Sequence, residues 1–109
     1  MAKIEKNTFE KGYIINLEGQ FTGGNETDDL VAMVKEIKEE KNKNLIVDFK
    51  NATYLSSIVI GLLVRTKADF QKIGLSVVYC SLNKTLEDVL KMTKVWSLLD
   101  TADDVESAK

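Results

Sequence analysis

The chain has 109 residues, 44% of them hydrophobic and 29% charged, with no proline and no histidine; this fits one compact domain and excludes a disordered, collagen-like or membrane-embedded chain. Without histidine there is no His-dependent triad, His-ligated metal or imidazole switch, and with Cys80 as the one cysteine there is no internal disulfide, and any zinc site would have to be rich in carboxylates. A formal net charge of -2 argues against a general binder of nucleic acid or acidic membranes, because such partners need a field of lysine and arginine.

The first residues, Met1-Ala2-Lys3-Ile4-Glu5-Lys6-Asn7, contain no apolar leader core. The longest greasy run, Ile58 to Val64, is seven residues interrupted by Gly61, far short of a bilayer span. The expectation is a cytoplasmic protein with no membrane insertion. Ile4 to Thr8 and Tyr13-Ile14-Ile15-Asn16-Leu17, separated by Glu10-Lys11-Gly12, predict an opening hairpin. After Gly19 and the Gly23-Gly24 pair, Asn25-Glu26-Thr27-Asp28-Asp29 predicts a helix start with a capping side chain and acids in its first turn, running to about Lys41. Its inner stripe is Leu30, Met33, Val34 and Ile37.

Leu45-Ile46-Val47-Asp48-Phe49 predicts a short buried strand, followed by a polar loop. A second helix begins near Ser56 or Ser57, with Val59, Leu63, Thr66, Phe70 and Ile73 facing inward and Gly74 as its C-terminal cap. Leu75 to Cys80 predicts another strand. A third helix after Asn83 turns Leu86, Val89 and Leu90 inward, and a last short helix is capped by Asp103. This alternation predicts an α/β fold: one domain over residues 1–109, a mixed sheet of four to five strands with parallel central strands, and about four helices packed mainly on one face.

The segment Asp48 to Leu63 carries the chemistry, because it runs from the carboxyl end of a buried strand into the first turns of a helix, where open α/β sheets place their sites. Ser56 and Ser57 each admit two roles there. A hydroxyl at this position caps the helix by accepting from a free backbone N–H; alternatively it is a phosphorylation site, since a phosphate would meet free donors and the positive end of the helix dipole. Helix arithmetic puts Ile58 and Leu62 on an outer line continued by Arg65, Asp69 and Lys72. They are either a patch for a partner or covered by a neighbouring loop.

Other signals lead nowhere catalytic. Asp48 at a strand end lacks the acidic pair and late lysine of a phosphoacceptor aspartate, and is expected to bond nearby backbone amides. Gly23-Gly24 belongs to no phosphate-binding glycine pattern and reads as a turn. Cys80 reads as a small buried hydrophobe, Trp96 as packing for the C-terminal segment, and the charge runs as solvated faces.

These residues resemble the STAS domains typified by bacterial anti-sigma factor antagonists. In that family a strand ending in aspartate-leucine and a loop with an aromatic residue lead into Asp-Ser-Ser-Gly-Leu-Gly at a helix start. Asp48-Phe49 matches the strand end, Tyr54-Leu55 the aromatic pair, and Ser56-Ser57-Ile58-Val59-Ile60-Gly61 falls on the hexapeptide. Leu17-Glu18-Gly19, Leu90-Lys91-Met92-Thr93 and the last helix extend the resemblance over nearly the whole chain. The chain departs from the pattern at Ser56, Ile58 and Val59, which stand where the family has aspartate, serine and glycine, and at Thr22, a position often acidic in the antagonists.

The resemblance implies a non-enzymatic protein that binds an anti-sigma factor, a serine kinase of the histidine-kinase-like ATPase type, and so frees a sigma factor, with a phosphatase as a further partner. Ser57 is then the phosphoacceptor, and Ser56, Ile58, Leu62, Thr22 and Asn51 are partner contacts. No cofactor, metal or nucleic acid is implied for this chain. The alternative is a constitutive STAS scaffold in a lipid-transport or signalling complex, without a phosphoswitch.

Overall fold

The computed structural model describes residues 2–109. In chain order the elements are β1 (Lys3–Phe9), β2 (Gly12–Phe21), α1 (Asn25–Glu40), β3 (Asn44–Leu55), α2 (Ser57–Lys72), β4 (Val77–Cys80), α3 (Lys84–Met92), a single 3-10 turn (Trp96–Leu98), β5 (Asp100–Ala102) and α4 (Val105–Ala108). They build one five-stranded sheet in the order β1-β2-β3-β4-β5. The β1–β2 hairpin is antiparallel and the other pairings are parallel. Among the described residues no helix is long and apolar enough to cross a membrane.

Period-two alternation divides the central strands between two cores. Ile15, Leu17, Leu45, Val47, Phe49, Val77 and Tyr79 face a main core closed by Leu30 and Ile37 of α1, Val59, Leu63 and Phe70 of α2, and Leu86 and Leu90 of α3. Ile14, Ile46 and Cys80 face the other way, against Val105 and Ala108 of α4. Three helices therefore share one face, and only the short α4 covers part of the second. Tyr79 is the one buried aromatic here with a hydroxyl to satisfy, and it donates to the Leu63 carbonyl at 2.6 Å; burial raises its phenol pKa. Burial likewise pushes the Cys80 thiol up to about 11, with Asp48 and Asp104 adding and a bond to Ser81 opposing, so Cys80 is the inert buried hydrophobe expected.

Beyond α4 the second face is polar. The Asn7 amide donates to Asn16 Oδ1 and the Asn16 amide to Asp48 Oδ2, each at 2.8 Å. Asp48 Oδ1 accepts from the Lys50 N–H at 3.1 Å, which is the backbone role expected of it.

Several boundaries differ from the sequence reading. The buried strand continues past Phe49 to Leu55, so residues 50–55 are ladder and not loop. It pairs with the equally extended β2, and register shifts between Asn16 and Glu18 and between Gly19 and Gln20 break the alternation that would have revealed it. Gly24, not Asn25, is the N-cap of α1, and it has no side-chain cap. The helix ends at Glu40, with Lys41 turned to φ 62°.

Ile73, expected inside, is 40% exposed, because α2 ends at Lys72 and the chain reverses there. Gly74 adopts φ +77°, and the Leu75 N–H donates to Phe70 O while the Gly74 N–H donates to Gln71 O, the paired bonds of a Schellman stop. Strand β4 starts at Val77, two residues later than predicted. In the tail, β5 occupies three residues that no periodicity marks, and α4 is capped by Asp104 rather than Asp103, its carboxylate accepting the Ser107 N–H at 2.8 Å. Helix α3 is as expected, with the Asn83 side chain accepting the Leu86 N–H at 2.9 Å.

Candidate functional site

The start of α2 separates the two serines. Ser56 is the N-cap, its hydroxyl accepting the Val59 N–H at 3.4 Å and its own N–H donating to Phe21 O at 2.9 Å. Two of the four free donors at a helix start are thereby met. Ser57, at the first helical position, is exposed. The N–H groups of Ser57 and Ile58 have no acceptor among the described residues, and the first turn contains no acid. A negative group on the Ser57 hydroxyl would meet donors and a positive dipole end, with no acid of that first turn competing for them.

Ile58 is 64% exposed, as helix arithmetic predicted, while Val59 beside it is fully buried. The bulk of Val59 is therefore spent in the core and is not presented to a partner. Leu62, one turn on, is half-buried against the main core.

The β2–α1 loop closes over this helix start. Gly23 has φ +98°, and a Cβ placed there would stand 3.1 Å from Ile58 Cδ1 and 3.8 Å from Ser56 Oγ. Only glycine accepts both that backbone and that approach without strain. Thr22, exposed at the loop's edge, donates from its N–H at 2.7 Å and its hydroxyl at 2.8 Å to Glu26 Oε1, which also accepts the Gly24 N–H at 3.2 Å. The Gly23 N–H donates to Thr27 Oγ1 at 3.0 Å. Glu26 is the residue the sequence reading missed as a site member. It was legible only as a first-turn acid, and its reach back to Thr22 depends on the turn at Gly23.

Thr22, Ser56, Ser57 and Ile58 thus belong to one small surface, extended by Leu62. Asn51 does not join it: it is exposed on β3 opposite Glu18 and lines a polar groove with Lys3, Asn16, Asp48 and Lys50. Among the described residues no group of three or more acids and cysteines lies close enough together to hold a metal ion.

Two expected results follow from this geometry. The Thr22 N–H, followed by its hydroxyl and the amides of Glu26 and Gly24, holds the Glu26 carboxyl down to about 2 from an ordinary 4.5. A folded value below the unfolded one makes the clasp's contribution to stability complete above about 4.5, and that contribution is lost as pH falls from there toward 2. In an acid titration followed by NMR, the Thr22 and Gly24 amides should move with a midpoint near 2. A midpoint near 4.5 would show that the clasp is absent.

The second concerns Ile58→Ser. With so much of the side chain in solvent, the change should leave stability within about 0.5 kcal/mol of wild type in a urea melt. A loss of several kcal/mol would place Ile58 in the core and remove it from any docking surface.

The comparisons with known proteins bear on the fold and the family. The family model described as STAS domain matches residues 3–108. No curated protein matches the chain. Among solved structures, the anti-sigma factor antagonist SpoIIAA in its unphosphorylated form is 12% identical with a TM-score of 0.77, covering 97% of this chain and 93% of that one. The Bacillus cell fate determinant SpoIIAA in its phosphorylated form is 12% identical with a TM-score of 0.76, covering 97% and 96%. The murine anion transporter Slc26a9 in its inward-facing state is 11% identical with a TM-score of 0.77, covering 94% of this chain and 18% of that one. At such identities the structural likeness speaks for the fold, and the family model, which spans nearly every residue, settles the rest: the chain belongs to the STAS domain family.

Proposed function

We propose that this chain is a non-enzymatic regulatory protein of the anti-sigma factor antagonist kind, which binds a kinase-type anti-sigma factor and so frees a sigma factor, with Ser57 as its regulatory phosphoserine. The observation that carries this reading is the division of labour at α2: Ser56 caps the helix, which leaves Ser57 exposed and uncommitted. A phosphate on Ser57 would add about -1.5 to -2 charges beside the exposed Ile58, in the middle of the surface offered to the partner. The likeness to SpoIIAA, solved in unphosphorylated and phosphorylated forms, supports the same reading. The partner kinase supplies ATP and magnesium, this chain only the hydroxyl, and a phosphatase resets it.

The test mixes the purified protein with nucleotide and each candidate serine kinase of the histidine-kinase-like ATPase type from the same genome, and follows Ser57 by mass spectrometry. Stoichiometric phosphate on Ser57 with one kinase supports the proposal; an unmodified Ser57 with all of them overturns the switch.

The second reading is a constitutive STAS scaffold in a lipid-transport or signalling complex. The observation favouring it is that the residues flanking Ser57 are the capping Ser56 and the exposed Ile58, in place of the family's aspartate and serine, which makes the helix start greasier and less acidic. A sigma factor and a kinase gene beside this gene favour the first reading, and permease and ATPase genes the second.

A further inference from the structure

We propose that the groove between α1 and α2 docks an acidic amphipathic helix of a partner protein. This goes beyond the Ser57 switch, since Ser57 is not among the residues that line the groove. The groove has a volume of about 290 Å³. Its floor is apolar, built from Val31 and Val34 of α1 and Leu62 of α2, and Val31 is 43% exposed there.

The rim is cationic. Lys35 of α1 and Arg65 of α2 line the groove, are exposed, and have no ion-pair partner among the described residues. Asp69 also lines it, but its carboxylate lies 3.5 Å from Lys38 Nζ, a pair that bridges the two helices at the groove's far end. The groove gathers three cations, Lys35, Lys38 and Arg65, against the single acid Asp69, a local excess of positive charge in a chain whose net charge is -2.

Spacing gives the occupant its shape. Val31, Lys35 and Lys38 recur at four and three residues along α1, and Leu62, Arg65 and Asp69 at three and four along α2, so each helix offers one continuous line to the space between them. Both helices have 16 residues, about 24 Å of length. An incoming helix of three to four turns fits that length, with leucine-like residues at i, i+3 or i+4 and i+7 on the floor and glutamates on both flanks against Lys35 and Arg65. An anionic membrane is a poorer match. Each exposed cation adds only about 1 kcal/mol near such a surface, and the rest of this chain is net acidic.

The experiment uses the full chain, labelled with 15N, and two synthetic peptides of identical composition. One carries leucines on a single helical stripe between glutamates; the other has the same residues scrambled so that no stripe forms. The striped peptide should give saturable amide shifts centred on Val31, Lys35, Leu62 and Arg65, weakening as salt is raised. The exposed pair change Lys35→Glu with Arg65→Glu should weaken binding by about tenfold or more without moving the thermal midpoint. Val31→Ser, which keeps every charge, should weaken it too. Ser57→Asp should bind the peptide as wild type does, so the groove and the switch succeed or fail separately.

The proposal is overturned by an absence of saturable shifts at millimolar peptide, by an equal response to the scrambled peptide, or by unchanged affinity in the charge-reversed variant. Binding to phosphatidylglycerol vesicles with no response to the peptide, or loss of peptide binding in Ser57→Asp, overturns it as well.

Discussion

Ser57→Asp is expected to weaken binding of the partner by at least about a hundredfold, equivalent to about 2.7 kcal/mol, while leaving the fold intact or slightly more stable. Both halves of this expectation come from the same position. An acid at the first helical residue sits at the positive end of the α2 dipole, where it stabilises by about 0.3–1 kcal/mol, and Ser56 keeps the capping bond to Val59. The surface that would close on a partner, however, is led by the exposed Ile58. Burying a fixed charge beside such a residue costs its hydration. Calorimetric titration against the phosphorylating kinase reads the first effect and a thermal melt the second. Full-strength binding by a well-folded Ser57→Asp protein contradicts the assignment of Ser57.

Gly12→Ala is expected to cost about 3 kcal/mol, a large effect for the addition of one methyl group. Strands β2 and β3 begin side by side, Gly12 opposite Asn44. A Cβ on Gly12 would lie 1.9 Å from the Asn44 carbonyl oxygen and 2.6 Å from its nitrogen. These are backbone atoms, so no rotamer change relieves the overlap, and the two central strands must part where their ladder starts. Because Asn44 also fixes the entry to β4, its side chain accepting the Ser76 N–H at 3.0 Å, the disturbance reaches a third strand. A urea melt showing less than about 1 kcal/mol of destabilisation would mean that the strands move apart easily.

What the sequence disclosed follows the strength of its periodic signals. Helices α2 and α3 stand out because their apolar residues recur at three and four, the hairpin because turn residues at Glu10-Lys11-Gly12 separate two stretches that read as strands, and the exposure of Ile58 follows from the helical counting. The far half of β3 did not, because Lys50-Asn51-Ala52-Thr53-Tyr54 is largely polar and its partner strand is bulged, so the ladder survives without alternation. Asp100–Ala102 is too short to carry any period, and is a strand only because β4 lies beside it. At the site, adjacent serines are chemically equivalent as caps until the backbone decides which one precedes the helix. Glu26 shows the complementary limit. Its residue type suits any helix start, and only the path of the chain through Gly23 brings Thr22 within reach of its carboxylate.

We propose that a kinase-type partner docks on the start of α2, where Ser57 and Ile58 are exposed. The most direct measurement replaces Ile58 with the photo-crosslinking residue benzoylphenylalanine in the full chain, expressed in its native cells and irradiated there. The expected result is one light-dependent adduct with a protein containing a histidine-kinase-like ATPase domain, absent when Ser57→Asp is introduced into the same chain. An adduct that persists in the Ser57→Asp chain, an adduct with permease or transport-ATPase subunits instead, or no adduct at all would contradict it.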